Sequence, residues 1–313
     1  MVDFMVNVLK TIRPRQWLKN LSVAAALVFS GNLFEPDKVQ IIFWAIVLMT
    51  LLTSAIYLFN DIIDRESDRQ HPFKRLRPIA AGKLAIPSAI TLVFIFTYVS
   101  LWGAWRLSPF FFAALFAYLV LQLSYSIYLK HVPIIEILTI AAGFILRVYA
   151  GALVIDAHLS IWFLLCVVTT ALLISIGKRR AELAILTEQA AKHRQVLSRY
   201  LPEVLNSYVI MFATSTWLSW ALFTFFEPTL PIVRTFPELF AGLPLTFSGT
   251  NKWLMVTIPV VIYGVMRYLR IIYDGSKAES PERVLLSDKP LLSAVVIWGV
   301  MVVGILYLLP ARP

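Results

Sequence analysis

Tyr57 to Gly82 reads "YLFNDIIDRESDRQHPFKRLRPIAAG". It begins at the end of an apolar run, then carries Asp61, Asp64, Glu66 and Asp68, then Lys74, Arg75 and Arg77. If the preceding helix continues through residue 68, each residue turns the chain by about 100°. Asn60, Asp61, Asp64 and Asp68 then share one face, and Glu66 points away from it. Asp61 and Asp64 are one turn apart, so their oxygens are expected to converge on one cation. Asp68 lies about 10 Å further along the axis and is expected to serve a second ion or an outer position.

Carboxylate ligands without His or Cys point to Mg²⁺ or Mn²⁺ rather than Zn²⁺. Mg²⁺ characteristically takes one or two carboxylates and completes its shell with phosphate oxygens. Lys74, Arg75 and Arg77 follow at once and supply positive charge for a phosphate ligand. The stretch therefore reads as a metal–diphosphate site, with Asp61, Asp64 and Asp68 as metal ligands and Asn60 and the three bases on the substrate. The bland alternative is a helix end fraying into a solvated charged loop. His71, before Pro72, reads as a loop histidine and not a ligand.

What surrounds the stretch is a membrane protein. The 313-residue chain is 59% hydrophobic and 15% charged, with a mean hydropathy of +0.77. Soluble domains are less apolar and more charged. About nine apolar segments are long enough to span a bilayer. They lie near residues 18–34, 39–60, 86–105, 109–128, 133–153, 160–177, 208–226, 253–273 and 290–309. The first is the weakest, because Lys19 and Asn20 stand at its start. The fold expected is all-α and polytopic, one integral-membrane domain over 1–313. Residues 1–17 form an interfacial amphipathic segment on Val2, Met5, Val6 and Leu9. No cleavable signal peptide is evident.

The net charge of +10 raises the question of nucleic acid. The bases sit in short loops between apolar runs, so bilayer orientation and acidic ligands explain them better. Of 28 lysines and arginines, 22 fall on one side of the expected topology, five on the other, and Arg147 inside a span. The basic loops and the N-terminus are expected in the cytoplasm. The single Cys166 excludes an intrachain disulfide and a Cys-built metal site.

"NDIIDRESDRQHPFKRLRPIAAG" resembles the first Asp-rich motif of the UbiA-type intramembrane prenyltransferases, and "YSIYLKHVP" (Tyr125 to Pro133) resembles a second shared motif. The resemblance implies a nine-helix bundle with both motifs at its cytoplasmic side. That family usually carries another Asp-rich motif after the sixth helix. Here the chain reads "LLISIGKRRAELAIL", Leu172 to Leu186, without an Asp. Together "KRLRPIAAG", "GFILRVYAGA", "GKRRAEL" and "ESPERVLLSDKPL" resemble one branch, the decaprenyl-phosphate phosphoribosyltransferases.

That branch implies transfer of 5-phosphoribosyl from 5-phosphoribosyl 1-diphosphate to a polyprenyl phosphate, releasing diphosphate. The resemblance places it in a bacterial inner membrane, supplying precursors of cell-envelope arabinan. One carboxylate–metal site holds the diphosphate, while the other phosphates need cations. This suits Lys178-Arg179-Arg180 in place of acids. The implied catalytic residues are Asp61, Asp64 and Lys178. The implied substrate contacts include Tyr125, Lys130, Arg147, Arg179, Glu182 and Arg267.

Each has a plainer reading. Lys178 and Glu182 would be a helix-surface pair, Tyr125 and Lys130 interfacial residues, and Arg147 a structural pair with Glu136. Glu282, Arg283, Asp288 and Lys289 are further candidates in the loop before the last helix. The partners expected are the two substrates and membrane lipids, with no nucleic acid; a homo-oligomer is compatible with the sequence. The rival enzyme reading is prenyl transfer to an aromatic or quinone-precursor acceptor, which the missing acidic motif disfavours. A transporter is disfavoured because the polar groups cluster on one side.

Overall fold

The computed structural model describes residues 2–70, 74–185, 200–226, 253–274, 284–285 and 287–308, and all their regular structure is helical. Glu282, Arg283 and His71 lie outside the described residues. Eight described helices are long and apolar enough to cross a membrane, and the chain is a multi-pass membrane protein. The stretch expected as the first span is built otherwise, as a 3₁₀ run Pro14–Ala24 followed by the short helix α2, Ala25–Phe29.

Prolines begin many of the helices, where their missing N–H costs nothing and their fixed φ suits the first turn. Proline is the first residue of α3 (Pro36–Ile63) and α6 (Pro109–Ile127) and the second of α5 (Ile86–Leu107). Ser108 caps α6 by accepting from the Phe111 amide. The remaining helices are α1 (Val2–Ile12), α4 (Arg65–Gln70), α7 (Ile135–Val154), α8 (Ile161–Ile185), α9 (Pro202–Phe226), α10 (Ile258–Asp274) and α11 (Lys289–Leu308).

The chain divides into two compact units. Of the described residues, the first unit holds 2–27 and 35–157, and the second holds 28–34 and 158–308. In the first, α3 packs against α5, and α6 against α7. Without a hydrophobic drive between helices in lipid, close backbone approach and interhelical hydrogen bonds carry association. Ser100 accordingly donates to the Leu48 carbonyl at 2.7 Å, and a Cβ on Gly103 would meet Leu48 Cδ2 at 2.7 Å. Gly151 of α7 lies against the Val23 carbonyl, leaving no room for a side chain. This close approach seats the 3₁₀ run on α7.

The second unit is built on α8 and α9, with α10 and α11 packed on each other. Thr169 and Ser219 share a hydrogen bond of 2.9 Å between α8 and α9. Phe29, Phe163, Trp220, Phe223 and Trp298 form an aromatic cluster, with Phe29 and Phe163 centroids 4.3 Å apart. Tyr307 donates to the Val28 carbonyl at 2.6 Å.

Candidate active site

The helix that carries the acids does not run unbroken through residue 68. α3 ends at Ile63, Asp64 stands outside helical geometry at φ −82° and ψ 3°, and α4 starts at Arg65. Backbone bonds continue across the break, from the Asp64 amide to Asn60 O (2.9 Å) and from the Asp68 amide to Asp64 O (2.8 Å). The break changes which acids meet. Asp61 and Asp68 are both buried and share one guanidinium. Arg77 Nη1 stands 3.1 Å from Asp61 Oδ1 and 2.6 Å from Asp68 Oδ2. Asp64 instead accepts from Lys130 Nζ at 2.6 Å. The helical-face reading joined Asp61 with Asp64 and set Asp68 apart; the observed ion pairs join Asp61 with Asp68.

Arg77 is held in place from below. Ile79 and Leu84 are buried with Ile12, Leu58 and Ala89 in one apolar cluster. Arg69 donates to the Ala80 carbonyl at 3.1 Å, and Gly82 takes φ +73° to turn the loop. The basic loop is therefore anchored by its apolar residues, and Arg77 points back at the acids. Lys74 and Arg75 stand exposed in the turn before it, and Asn60 is half-buried.

Sequence reasoning missed Arg13, which it treated only as a marker of orientation. Arg13 donates to Asp61 Oδ1, so that one oxygen is shared by two guanidiniums. Its guanidinium also lies 5.1 Å from the Tyr57 ring centroid, one turn before Asp61. The Arg13 backbone is left-handed, at φ 53° and ψ 68°, directly before Pro14. A non-glycine residue there is uncommon, and strained backbone of this kind concentrates at functional positions. The only signal in the sequence was a basic cluster around Trp17, which says nothing about a contact 48 residues away.

The three acids thus meet three cations, Arg13, Arg77 and Lys130. Two opposite unit charges about 4 Å apart attract by about 4 kcal/mol at an effective dielectric of about 20. Asp61 is 2% exposed, so losing its cations without a replacement is strongly disfavoured. Tyr125, half-buried near the end of α6, precedes the 3₁₀ turn Leu129–His131 that bears Lys130. After it Ile134 takes φ 67° and ψ −50°, with the Ile135 amide bonded to Pro133 O at 2.7 Å, a strained γ-turn that opens α7.

Arg147, expected to contact ligand, is buried within α7. All three guanidinium nitrogens donate within the first unit, to Asn20 Oδ1 (3.1 Å), Gly143 O (3.0 Å) and the Tyr118 hydroxyl (2.5 Å). Asn20 in turn donates to Thr50 and Thr53, both at 3.1 Å. This network, in which the Arg147 guanidinium is met only by neutral acceptors, pins the 3₁₀ run that begins one residue after Arg13.

In the second unit, Arg179 is wholly buried and pairs with Glu182, three residues on. The expected helical neighbour of Glu182 was Lys178, which is half-buried. Arg180 donates to Asn206 Oδ1 at 2.6 Å and lies 4.6 Å from the Tyr273 ring centroid. Arg267 holds Asp288 through two bonds, of 3.0 and 2.7 Å, and Asp288 also caps α11 through the Leu291 amide at 2.9 Å. Both Arg179 and Arg267 are therefore engaged with acids of their own unit.

An all-α membrane bundle with an Asp-rich helix end, its acids met by basic groups, defines a class. Residues 21–288 match the UbiA prenyltransferase family, and the chain belongs to it. It is 33% identical over 300 residues to the decaprenyl-phosphate phosphoribosyltransferase of Mycobacterium tuberculosis (strain ATCC 25618 / H37Rv), covering 95% of this chain and 93% of that one. It is 32% identical over 308 residues to the decaprenyl-phosphate phosphoribosyltransferase of Corynebacterium glutamicum, covering 97% of this chain and 88% of that one. Its fold resembles a UbiA homolog from Archaeoglobus fulgidus bound to GPP and Mg²⁺, with a TM-score of 0.70, 19% identity, and coverage of 96% and 99%.

Proposed function

We propose that this chain transfers 5-phosphoribosyl from 5-phosphoribosyl 1-diphosphate to a polyprenyl phosphate, releasing diphosphate. The observation that carries the reading is the similarity to decaprenyl-phosphate phosphoribosyltransferases across 95% of the chain. The residues agree with it. The described end of α8 offers Lys178 and a buried Arg179 paired with the half-buried Glu182, where prenyl transfer would call for a second pair of carboxylates.

Whether the acids suit Mg²⁺ is a question of donor chemistry. Asp61, Asp64 and Asp68 supply only carboxylate oxygens. Among the described residues no three Asp, Glu, His or Cys side chains form a ready metal cage. That fits an ion held by one or two carboxylates and by substrate phosphate oxygens, which is the habit of Mg²⁺. Asp61 and Asp64 are the proposed ligands, with Asp68 behind them. Bound there, the ion supplies neutralising charge for the leaving diphosphate.

The rest is done by the chain. Arg77, Arg13 and Lys130 orient the diphosphate, with Asn60, Lys74, Arg75 and Tyr125 around it. Lys178 contacts a phosphate, and Arg179 and Glu182 hold its helix. Arg147 and Arg267 have supporting parts, through Asn20 and Asp288. An oxygen of the lipid phosphate attacks the anomeric carbon. The bond from that carbon to the diphosphate oxygen breaks, and its electron pair leaves with diphosphate. A phosphate monoester is already anionic near neutral pH, so no general base is required. We assign residues 1–313 to one transferase domain in a bacterial inner membrane, with the basic loops in the cytoplasm.

The test uses radiolabelled phosphoribosyl diphosphate and polyprenyl phosphate. Label passing into a butanol-soluble lipid supports the reading. Prenyl transfer to 4-hydroxybenzoate without sugar transfer overturns it.

A further inference from the structure

Asp61, Asp64 and Asp68 are neutralised within the protein itself. Asp61 Oδ1 accepts from Arg13 and Arg77, Asp68 from Arg77, and Asp64 from Lys130. Three acids face three bases, so this part of the first unit is formally neutral before any ligand arrives. An ion entering alone has to displace guanidinium or ammonium groups from short, partly buried contacts. It also adds two positive charges to a set of three acids and three bases that is already balanced.

The displaced cations are well suited to a second partner. Guanidinium forks and ammonium groups bind phosphate oxygens through charge-assisted hydrogen bonds. Arg13 and Arg77 are 29% and 27% exposed at the side chain, while Asp61 is 2% exposed, so at Asp61 the bases are the accessible partners; at Asp64 the carboxylate is the more exposed partner, 34% against 16% for Lys130. Arg13 stays tethered by its stack on Tyr57 and by the strained backbone before Pro14.

We infer that Arg13, Arg77 and Lys130 are built-in counter-cations which the carboxylates exchange for metal only when a diphosphate is there to receive them. The ligand of this site is then the metal–diphosphate complex, and bare metal binds poorly. The inference rests on the metal reading proposed above and adds to it an order of binding and a role for Arg13. No covalent bond changes; ion pairs are exchanged.

The test measures Mn²⁺ binding to the detergent-held full chain by electron paramagnetic resonance, with and without inorganic pyrophosphate. Pyrophosphate is expected to tighten Mn²⁺ binding to the wild type by about tenfold or more, the size expected when a charge-assisted contact is replaced and not lost. Arg13→Gln is expected to tighten binding of bare Mn²⁺ and to shrink the gain from pyrophosphate. Lys130→Met is expected to act in the same direction and provides an independent check should Arg13→Gln not fold, as judged by tryptophan-fluorescence melting. The wild-type comparison needs no variant.

Equal wild-type affinity for Mn²⁺ with and without pyrophosphate overturns the inference alone. So does unchanged or weaker bare-Mn²⁺ binding in a folded variant. Absence of Mn²⁺ binding under both conditions removes the metal reading and this inference with it.

Discussion

Lys130 Nζ and Asp64 Oδ1 lie 2.6 Å apart, joining positions 66 residues apart in the chain. Lys130 stands on the turn after α6, and Asp64 at the break between α3 and α4. Two motifs that the sequence shows separately are thus parts of one constellation.

Removing either partner should impair the reaction more than the fold. Asp64→Asn and Lys130→Met are each expected to lower kcat by about 100-fold or more, the scale on which a single charge-stabilising group acts. The double variant should be little worse than either single one, because paired residues are not additive. Steady-state turnover of labelled phosphoribosyl diphosphate checks this; strictly additive losses would count against a shared role.

The Asn20–Arg147 contact should behave in the opposite way. Asn20→Ala leaves a buried guanidinium nitrogen without its acceptor, which costs about 1–3 kcal/mol. A lower thermal midpoint in detergent is expected, with an unchanged KM for the sugar donor. A raised KM at an unchanged midpoint would show instead that this network touches substrate.

Asp288 carries two jobs that substitutions can separate. Asp288→Asn keeps a good N-cap for the Leu291 amide and weakens the pair with Arg267; Asp288→Ala removes both. The alanine variant should be less stable than the asparagine one by about 1 kcal/mol. Equal chemical-denaturation midpoints in mixed micelles would mean that the cap contributes nothing.

Much of this was legible before any coordinates. Long apolar runs specify membrane helices because in a bilayer a single segment can satisfy its own backbone only as a helix. The concentration of Asp61, Asp64 and Asp68 before Arg77 marked the candidate site because charges are scarce in this chain. The run 18–34, expected as the first span, takes a local form that the sequence did not show, a 3₁₀ run followed by the short helix α2. Its composition is apolar enough, but the Asn20–Arg147 bond and the close approach of Gly151 to Val23 hold the 3₁₀ run Pro14–Ala24 against α7.

What the sequence determined by itself was local: helix type, helix starts at proline, and the inventory of acids and bases. Tertiary structure alone decided the pairing. A one-residue break at Asp64 turns its carboxylate to Lys130 and leaves Asp61 and Asp68 to Arg77, and a left-handed Arg13 reaches Asp61 from the N-terminal segment. An ion pair depends on separations of a few ångströms, and no spacing rule for a single helix carries that information across 48 or 66 residues of chain.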